Sequence, residues 1–144
     1  MGASFQIVID CADPARLAGF WAVALGYIVQ PPPAGHDSWE SFLTSMGVPP
    51  SEFNRASALV DPDGRTPRIF FQRVPEPKTV KNRLHLDVNV GGGPGVPLGR
   101  RQTRVDAEVQ RLQGHGATVI GPIHEGDEYW VVMADPEGNE FCVQ

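Results

Sequence analysis

The first quarter of the chain has a pattern of hydrophobic and polar positions that predicts a strand, a helix and a second strand. The run Phe5–Asp10 is strand-like. Asp13 followed by Pro14 is typical of a helix start, because Asp caps free amide groups and Pro is preset for the first turn. Gly26 stands where a left-handed helix C-cap belongs, just before the β-prone sequence YIV. Apolar residues recur at helical spacing in between, at Leu17, Phe20, Trp21, Ala24 and Leu25.

The second half of the chain repeats this order. The stretch RLHLDVNV alternates, which predicts a strand with leucines and valines on one face and polar residues on the other. A Gly/Pro-rich loop follows, and a helix with a short apolar stripe then leads into the strand ATVIG. The apolar strand positions are Leu84, Leu86, Val88 and Val90, the polar ones are His85, Asp87 and Asn89, and the helix stripe is Val105, Val109 and Leu112.

Each half ends in two apolar runs joined by Asp-Pro-acid-Gly, in LVDPDGRTPRIFFQRV and VMADPEGNEFCV. Asp caps locally, Pro presets φ and Gly accepts a positive φ, so each stretch predicts a hairpin. The chain is therefore predicted to be one α+β domain over residues 1–144, built from two βαβββ modules at about 1–76 and 80–144. Their strands are expected to form a curled mixed β-sheet around a cleft, with Gln6 and His85 at the same place in the two modules.

Charge and composition exclude several classes of protein. The net charge is −5 and the sequence lacks long Lys/Arg runs, so the electrostatic footprint of a nucleic-acid binder is missing. Apolar stretches are too short to predict a membrane span, and the first ten residues lack the layout of a signal peptide. Two cysteines are too few for a disulfide framework. We expect a cytoplasmic protein with free thiols and a small-molecule partner.

Three stretches resemble the vicinal oxygen chelate superfamily, the group of glyoxalases, bleomycin-resistance proteins and extradiol dioxygenases. They are DCADPARLAGFWAVALGY, RLHLDV and WVVMADPEGNEFCV, and the resemblance is closest to the glyoxalase-like domain proteins. It implies paired βαβββ modules around a cleft and, in metal-using members, a divalent ion held by the first and last strands. Many such proteins are homodimers, which the sequence permits.

The resemblance implies metal-ligand positions at Gln6 and His85. In the metal enzymes a glutamate usually stands four residues after the hairpin glycine, but Cys142 occupies that place here and Glu140 lies two residues earlier. In the first module the matching position falls on Phe71 or Gln72. The candidate metal ligands are Gln6, His85 and Glu140, and a divalent ion is not favoured because His85 alone is a firm ligand.

Each of three candidate residues has an alternative interpretation without a role in metal binding or catalysis. His85 is either a metal ligand or a cavity-lining histidine bonded to Asp87 or Asn89. Cys142 is either a reactive or ligating thiolate or a small buried residue in the place of a carboxylate. Glu140 is either a general base and ligand or a solvated carboxylate.

Two classes of function follow from the resemblance. The first is a small-molecule-binding protein of the resistance type, with an aromatic-lined cleft and a degenerate metal site. The second is a metal-dependent lyase, isomerase or dioxygenase that uses Gln6, His85 and Glu140, with Glu140 moving the proton. The predicted lining of the cleft is Gln6, Asp10, Phe71, His85, Asp87, Trp130, Glu140 and Cys142.

Overall fold

Two βαβββ modules make up the computed structural model, which describes residues 2–144. The chain divides into two compact units, the first ending at Pro77 and the second running from Lys78 to Gln144. Each unit contains one four-stranded mixed sheet. The predicted α+β class and the repeat of strand, helix and three strands are therefore confirmed.

The sheet of the first unit has the order β1-β4-β3-β2. Strand β1 pairs in parallel with β4, and the β2–β3 and β3–β4 pairs are antiparallel. A βαβββ module produces one parallel pair, because the helix returns the chain so that β2 runs in the same direction as β1. The two antiparallel pairings that follow then leave β4 parallel to β1. The elements are β1 (Ile7–Cys11), α1 (Pro14–Leu25), β2 (Ile28–Val29), β3 (Ala56–Val60) and β4 (Ile69–Arg73).

Helix α1 begins and ends where its local chemistry predicts. The carboxylate of Asp13 accepts a hydrogen bond from the Arg16 amide at 3.2 Å. Gly26 closes the helix with φ of 69°, a left-handed conformation that costs glycine little. The predicted apolar stripe of the helix is buried except for Leu25, which is half-buried, and the helix packs on β3 and β4. The buried residues include Leu17, Ala18, Phe20, Trp21 and Ala24.

The insertion between β2 and β3 carries helical structure that the hydrophobic pattern did not predict. Helix α2 (Trp39–Ser45) is capped by the Ser38 hydroxyl, and a 3₁₀ helix follows at Pro50–Arg55. The Asn54 side chain accepts from the Ala15 amide at 2.9 Å and donates to Asp13 at 2.8 Å. These bonds attach the insertion to the first turn of α1.

The second unit has the strand order β5-β8-β7-β6, again with one parallel pair between the first and last strands. Its core lies between α3 and one face of the sheet, where alternate residues of β7 and β8 are buried. The Tyr129 hydroxyl donates to Asp106 at 2.5 Å and joins β7 to α3. The elements are β5 (Asp87–Val88), α3 (Leu98–Gln113), β6 (Thr118–Glu125), β7 (Glu128–Ala134) and β8 (Glu140–Val143).

Strand β5 is shorter than the alternation in RLHLDVNV predicts. Leu84 is 89% exposed and only Val88 of the predicted apolar face is buried, so placing Leu84 in the core was wrong. Hydrogen bonds from the amides of Cys142 to Leu86 and of Gln144 to Val88 fix the part of this strand that pairs with β8. The residues before Leu86 have no such ladder bonds among residues 2–144.

Both Asp-Pro-x-Gly turns form as predicted. Asp61 accepts from the amides of Asp63 and Arg65, and Asp135 accepts from those of Glu137 and Asn139. The turn carboxylates therefore satisfy the backbone groups that the reversal leaves unpaired.

Within the described part of the chain, no helix combines the length and the apolar character needed to cross a bilayer.

Candidate functional site

The face of the second sheet that turns away from α3 holds a shallow depression of about 430 Å³. Trp130 and Val132 on β7 give it an apolar floor, because they alternate with residues that point into the core. Charged and polar side chains surround this floor, and every lining residue belongs to the second unit. The lining is Lys81, His85, Asp87, Trp130, Val132, Glu140, Phe141, Cys142 and Gln144. Five predicted residues thus meet there, namely His85, Asp87, Trp130, Glu140 and Cys142.

Three of these residues form a compact cluster of metal-ligating groups. His85 Nε2 lies 3.4 Å from Asp87 Oδ1, and Asp87 is paired with Cys142 in the parallel ladder. One ligand atom from each residue lies within 4.8 Å of the other two. Burial raises the pKa of the Cys142 thiol, and the charge and hydrogen bonding of Asp87 raise it further. The thiol is therefore protonated at neutral pH.

Glu140 is held by other side chains of the same unit. The Asn82 amide donates to its carboxylate at 3.0 Å, and Lys78 Nζ lies 3.2 Å away. These hydrogen bonds, the backbone bonds above all, lower the pKa of Glu140 to about 2. A carboxylate with so low a pKa is a poor base at neutral pH. The low pKa argues against the predicted role of Glu140 as a general base. Its role as a metal ligand is disfavoured for a different reason, because Lys78 and Asn82 already bind its carboxylate oxygens.

Gln6 lies in the first unit, where its side chain is bound by an arginine. Arg68 Nη1 donates to Gln6 Oε1 at 2.9 Å, which is the atom that a metal ion would need. A guanidinium at that distance also repels a cation. The predicted role of Gln6 as a metal ligand is therefore not supported by its surroundings.

The other two predicted residues of the first unit are also accounted for by their local contacts. Asp10 accepts from Gln72 Nε2 at 2.7 Å. Phe71 is fully buried, so it belongs to the core and cannot line a binding surface as predicted. The ladders pair Val8 with Phe70 and Asp87 with Cys142, so the counterpart of Cys142 is Phe70 rather than Phe71 or Gln72. This position lies six residues after Gly64 but four after Gly138, and these two extra residues had obscured the register.

The donors in the second unit decide which metal ions would fit. A hard ion such as Mn²⁺ or Mg²⁺ prefers several oxygen ligands, and Asp87 is the one carboxylate of the cluster. Imidazole, carboxylate and thiolate together suit a thiophilic ion such as Zn²⁺. The residues present do not fit a hard ion, and they fit a thiophilic ion if Cys142 loses its proton.

The sequence analysis missed four residues that hold the candidate ligands or line the depression. Lys78 and Asn82 hold Glu140, Lys81 lines the depression, and Arg68 holds Gln6. The basic stretch KTVKNR, which ends three residues short of β5, was the available signal for Lys78, Asn82 and Lys81.

Solved structures with similar folds span almost the whole chain at low sequence identity. A glyoxalase/bleomycin resistance protein/dioxygenase family enzyme from Burkholderia phytofirmans PsJN is 18% identical, with a TM-score of 0.59 over 96% of this chain and 94% of that one. A mutant of the fosfomycin resistance protein FosX from Listeria monocytogenes, complexed with Mn(II) and 1S,2S-dihydroxypropylphosphonic acid, is 9% identical. Its TM-score is 0.63, over 100% of this chain and 92% of that one. Hypothetical protein SA1046 from S. aureus is 15% identical, with a TM-score of 0.60 over 99% and 96%.

A search of curated proteins gave no match. The family model for the glyoxalase-like domain matches residues 6–144. That span includes both modules, both Asp-Pro-x-Gly turns and every candidate residue discussed above. The chain therefore belongs to the glyoxalase-like domain family, within the vicinal oxygen chelate superfamily.

Proposed function

We propose that this chain binds a small organic molecule on the open face of the second sheet, without a tightly held hard metal ion. The observation that supports the proposal is that other side chains of the protein already bind the oxygen atoms of both predicted oxygen ligands, Gln6 and Glu140. Arg68 binds the amide oxygen of Gln6, and Lys78 and Asn82 bind the carboxylate of Glu140. A Mn²⁺-type site would have to break these contacts.

The lining of the depression indicates the kind of molecule. Trp130 and Val132 offer an apolar surface on which a planar ring can stack. His85 and Asp87 at one side provide a donor and an acceptor for a polar substituent, and Lys81 adds a positive charge. We expect an aromatic or other apolar body with one or two polar groups.

Fluorescence titration with a panel of aromatic compounds tests this proposal. The chain has three tryptophans, of which Trp21 is buried and Trp39 lies in the other unit. Trp130→Phe should abolish the quenching caused by a ligand, whereas Trp39→Phe should preserve it. Quenching that persists in Trp130→Phe and disappears in Trp39→Phe would contradict the proposal.

Elemental analysis of protein purified without chelator is the companion measurement. We expect less than stoichiometric manganese or iron. A stoichiometric hard ion that is lost in Gln6→Ala would show that the family's metal site is assembled here and would overturn the proposal.

The cluster of His85, Asp87 and Cys142 favours a second candidate, a metal-dependent lyase, isomerase or dioxygenase with a thiophilic ion. The three residues would hold the ion through Nε2, a carboxylate oxygen and Sγ. When bound, such an ion supplies Lewis-acid polarisation of a substrate oxygen. Cys142 has to release its proton, so binding would be weaker at lower pH.

Titration with Cd²⁺ separates this candidate from the first, because cadmium–thiolate bonds give an ultraviolet charge-transfer band. Cys142→Ser and His85→Ala should abolish the band, while Cys11→Ser should preserve it because Cys11 is buried in the other unit. Absence of the band in the wild-type protein would remove the metal-dependent candidate.

A further inference from the structure

Arg68 is fixed on the open face of the first sheet by three contacts. Nε donates to Gln30 Oε1 at 2.6 Å and Nη1 donates to Gln6 Oε1 at 2.9 Å. The guanidinium also lies over the Phe70 ring, 5.3 Å from its centroid. The group is half-buried and its orientation is set before any ligand arrives.

This guanidinium has no counter-ion within residues 2–144. The ion pairs in that range do not include Arg68, and its Nη2 makes no hydrogen bond there. Arg73, the last residue of β4, is paired with Glu52 at 3.2 Å. Asp10 does not neutralise Arg68 either. It lies four positions after Gln6, about 13 Å away by the rise of a strand, and is bonded to Gln72.

A half-buried, oriented and unneutralised guanidinium is suited to oxyanions. Its neutral amide partners hold it without cancelling its charge, so the Coulomb attraction for an anion remains. Arginine presents planar N–H groups that match the oxygens of a carboxylate or phosphonate, and such charge-assisted bonds are the strong ones.

The surface next to Arg68 is apolar. Val8 and Ala58 are the ladder neighbours of Phe70, so all three share this face. Val8 is 48% exposed, and Ile28 on β2 is 45% exposed. An apolar body could cover these side chains while its acidic group reaches the guanidinium.

We infer that Arg68 is the anchor of a second ligand site, which takes an organic oxyanion with an apolar body. Nη2 and the outer edge of the guanidinium bind the carboxylate or phosphonate, and Val8, Phe70 and Ile28 contact the body. The site uses residues of the first unit alone and does not depend on the proposed function of the second.

Calorimetric titration with four probes tests the inference. Benzoate and phenylphosphonate distinguish the two head groups, benzamide is the neutral counterpart of benzoate, and inorganic phosphate lacks an apolar body. We expect benzoate or phenylphosphonate to bind at least tenfold more tightly than benzamide and phosphate. Equal binding of benzoate and benzamide, or no binding of either oxyanion, would overturn the inference.

Three variants assign the binding to Arg68. Arg68→Gln should weaken it at least tenfold and Arg68→Lys severalfold, because an ammonium keeps the charge and loses the planar pair of donors. Arg73→Gln removes the same charge at the far end of β4 and should change the affinity less than twofold. Equal losses in Arg68→Gln and Arg73→Gln would show a nonspecific charge effect and contradict the inference.

An NMR titration covers the case in which Arg68→Gln fails to fold. The Nε–H signal of Arg68, assigned by its absence in Arg68→Lys, should move on addition of benzoate to the wild-type protein and stay in place with benzamide. A signal that moves with neither probe would reject the site without reference to any variant.

Discussion

Asp87 and Cys142 are direct partners in the parallel ladder of β5 and β8, so a carboxylate and a thiol project side by side from the same face of the sheet. Cys142 is half-buried there, and burial is the larger reason for its raised pKa, followed by the negative charge of Asp87. A protonated thiol is a weak nucleophile. The same carboxylate that suppresses this reactivity also completes the cluster with His85.

Asp87→Asn should make Cys142 more reactive, because it removes a negative charge beside the thiol. We expect alkylation by iodoacetamide at pH 8 to become about threefold to tenfold faster, since a tenfold change in thiolate fraction accompanies one unit of pKa. The rate is measured in a Cys11→Ser background. Asp10→Asn is the matched control, and a similar acceleration there would show that the effect is global.

Glu140→Gln should destabilise the protein by about 1 kcal/mol at pH 7, because charge-assisted hydrogen bonds to Asn82 and Lys78 are lost at a partly solvated site. The pKa of Glu140 is lowered to about 2, from an ordinary value of 4.5. Its stabilising effect is therefore present above about pH 4.5 and is lost as the pH falls toward 2. Urea unfolding of wild type and variant should converge over this range. Glu125→Gln, at an exposed position of the same unit, should behave like wild type throughout.

Ionisation of Tyr129 should lower the free energy of unfolding at alkaline pH. Burial, then the hydrogen bond to Asp106, raises its pKa to about 12 from an ordinary value of 10. A raised pKa means that the stabilising effect is complete below about pH 10 and is lost as the pH rises toward 12. Tyr129→Phe should cost about 1 kcal/mol at neutral pH and remove this part of the alkaline loss. An unchanged alkaline profile in the variant would contradict the assignment to Tyr129.

Phe71→Ala should cost about 3–5 kcal/mol in unfolding free energy, the usual range for a buried phenylalanine, because the ring is inaccessible to solvent. Leu84→Ala removes a comparable apolar side chain that is 89% exposed, and it should change stability by less than about 0.5 kcal/mol. Urea denaturation of the two variants provides the comparison. Equal losses would mean that the strand before Leu86 is part of the core after all.

The repeated fold could be predicted from sequence because its signals are local. The cap at Asp13, the glycine at the end of α1 and both Asp-Pro-x-Gly turns are decided by residues within a few positions of each other. Leu84 was misplaced because alternation marks an apolar face and does not reveal where the partner strand ends. Helix α2 was missed because its cap at Ser38 follows a run of prolines and glycine that resembles a loop.

The candidate site could be predicted only in part, because local sequence patterns reveal which residues share a strand face but not which distant residues contact them. Strand periodicity places Glu140, Cys142 and Gln144 on one face, and the structure has them around one depression. The partners that decide their chemistry lie far along the chain, as Lys78 does from Glu140 and Arg68 does from Gln6, both 62 positions away. Local patterns do not encode such pairs, so the competition for the oxygen donors became visible only in three dimensions.

Arg68 and Glu140 occupy the same place in their two modules, since each lies two residues before the matched pair Phe70 and Cys142. The two modules therefore carry side chains of opposite charge at this matched position, and they differ in pairing: Glu140 is paired with Lys78, whereas Arg68 has no ion-pair partner within residues 2–144. A compound collection restricted to uncharged molecules would miss ligands that pair with an unneutralised guanidinium such as that of Arg68. Ligand screens should include both acids and bases, and hits should be sorted by formal charge before any are followed up.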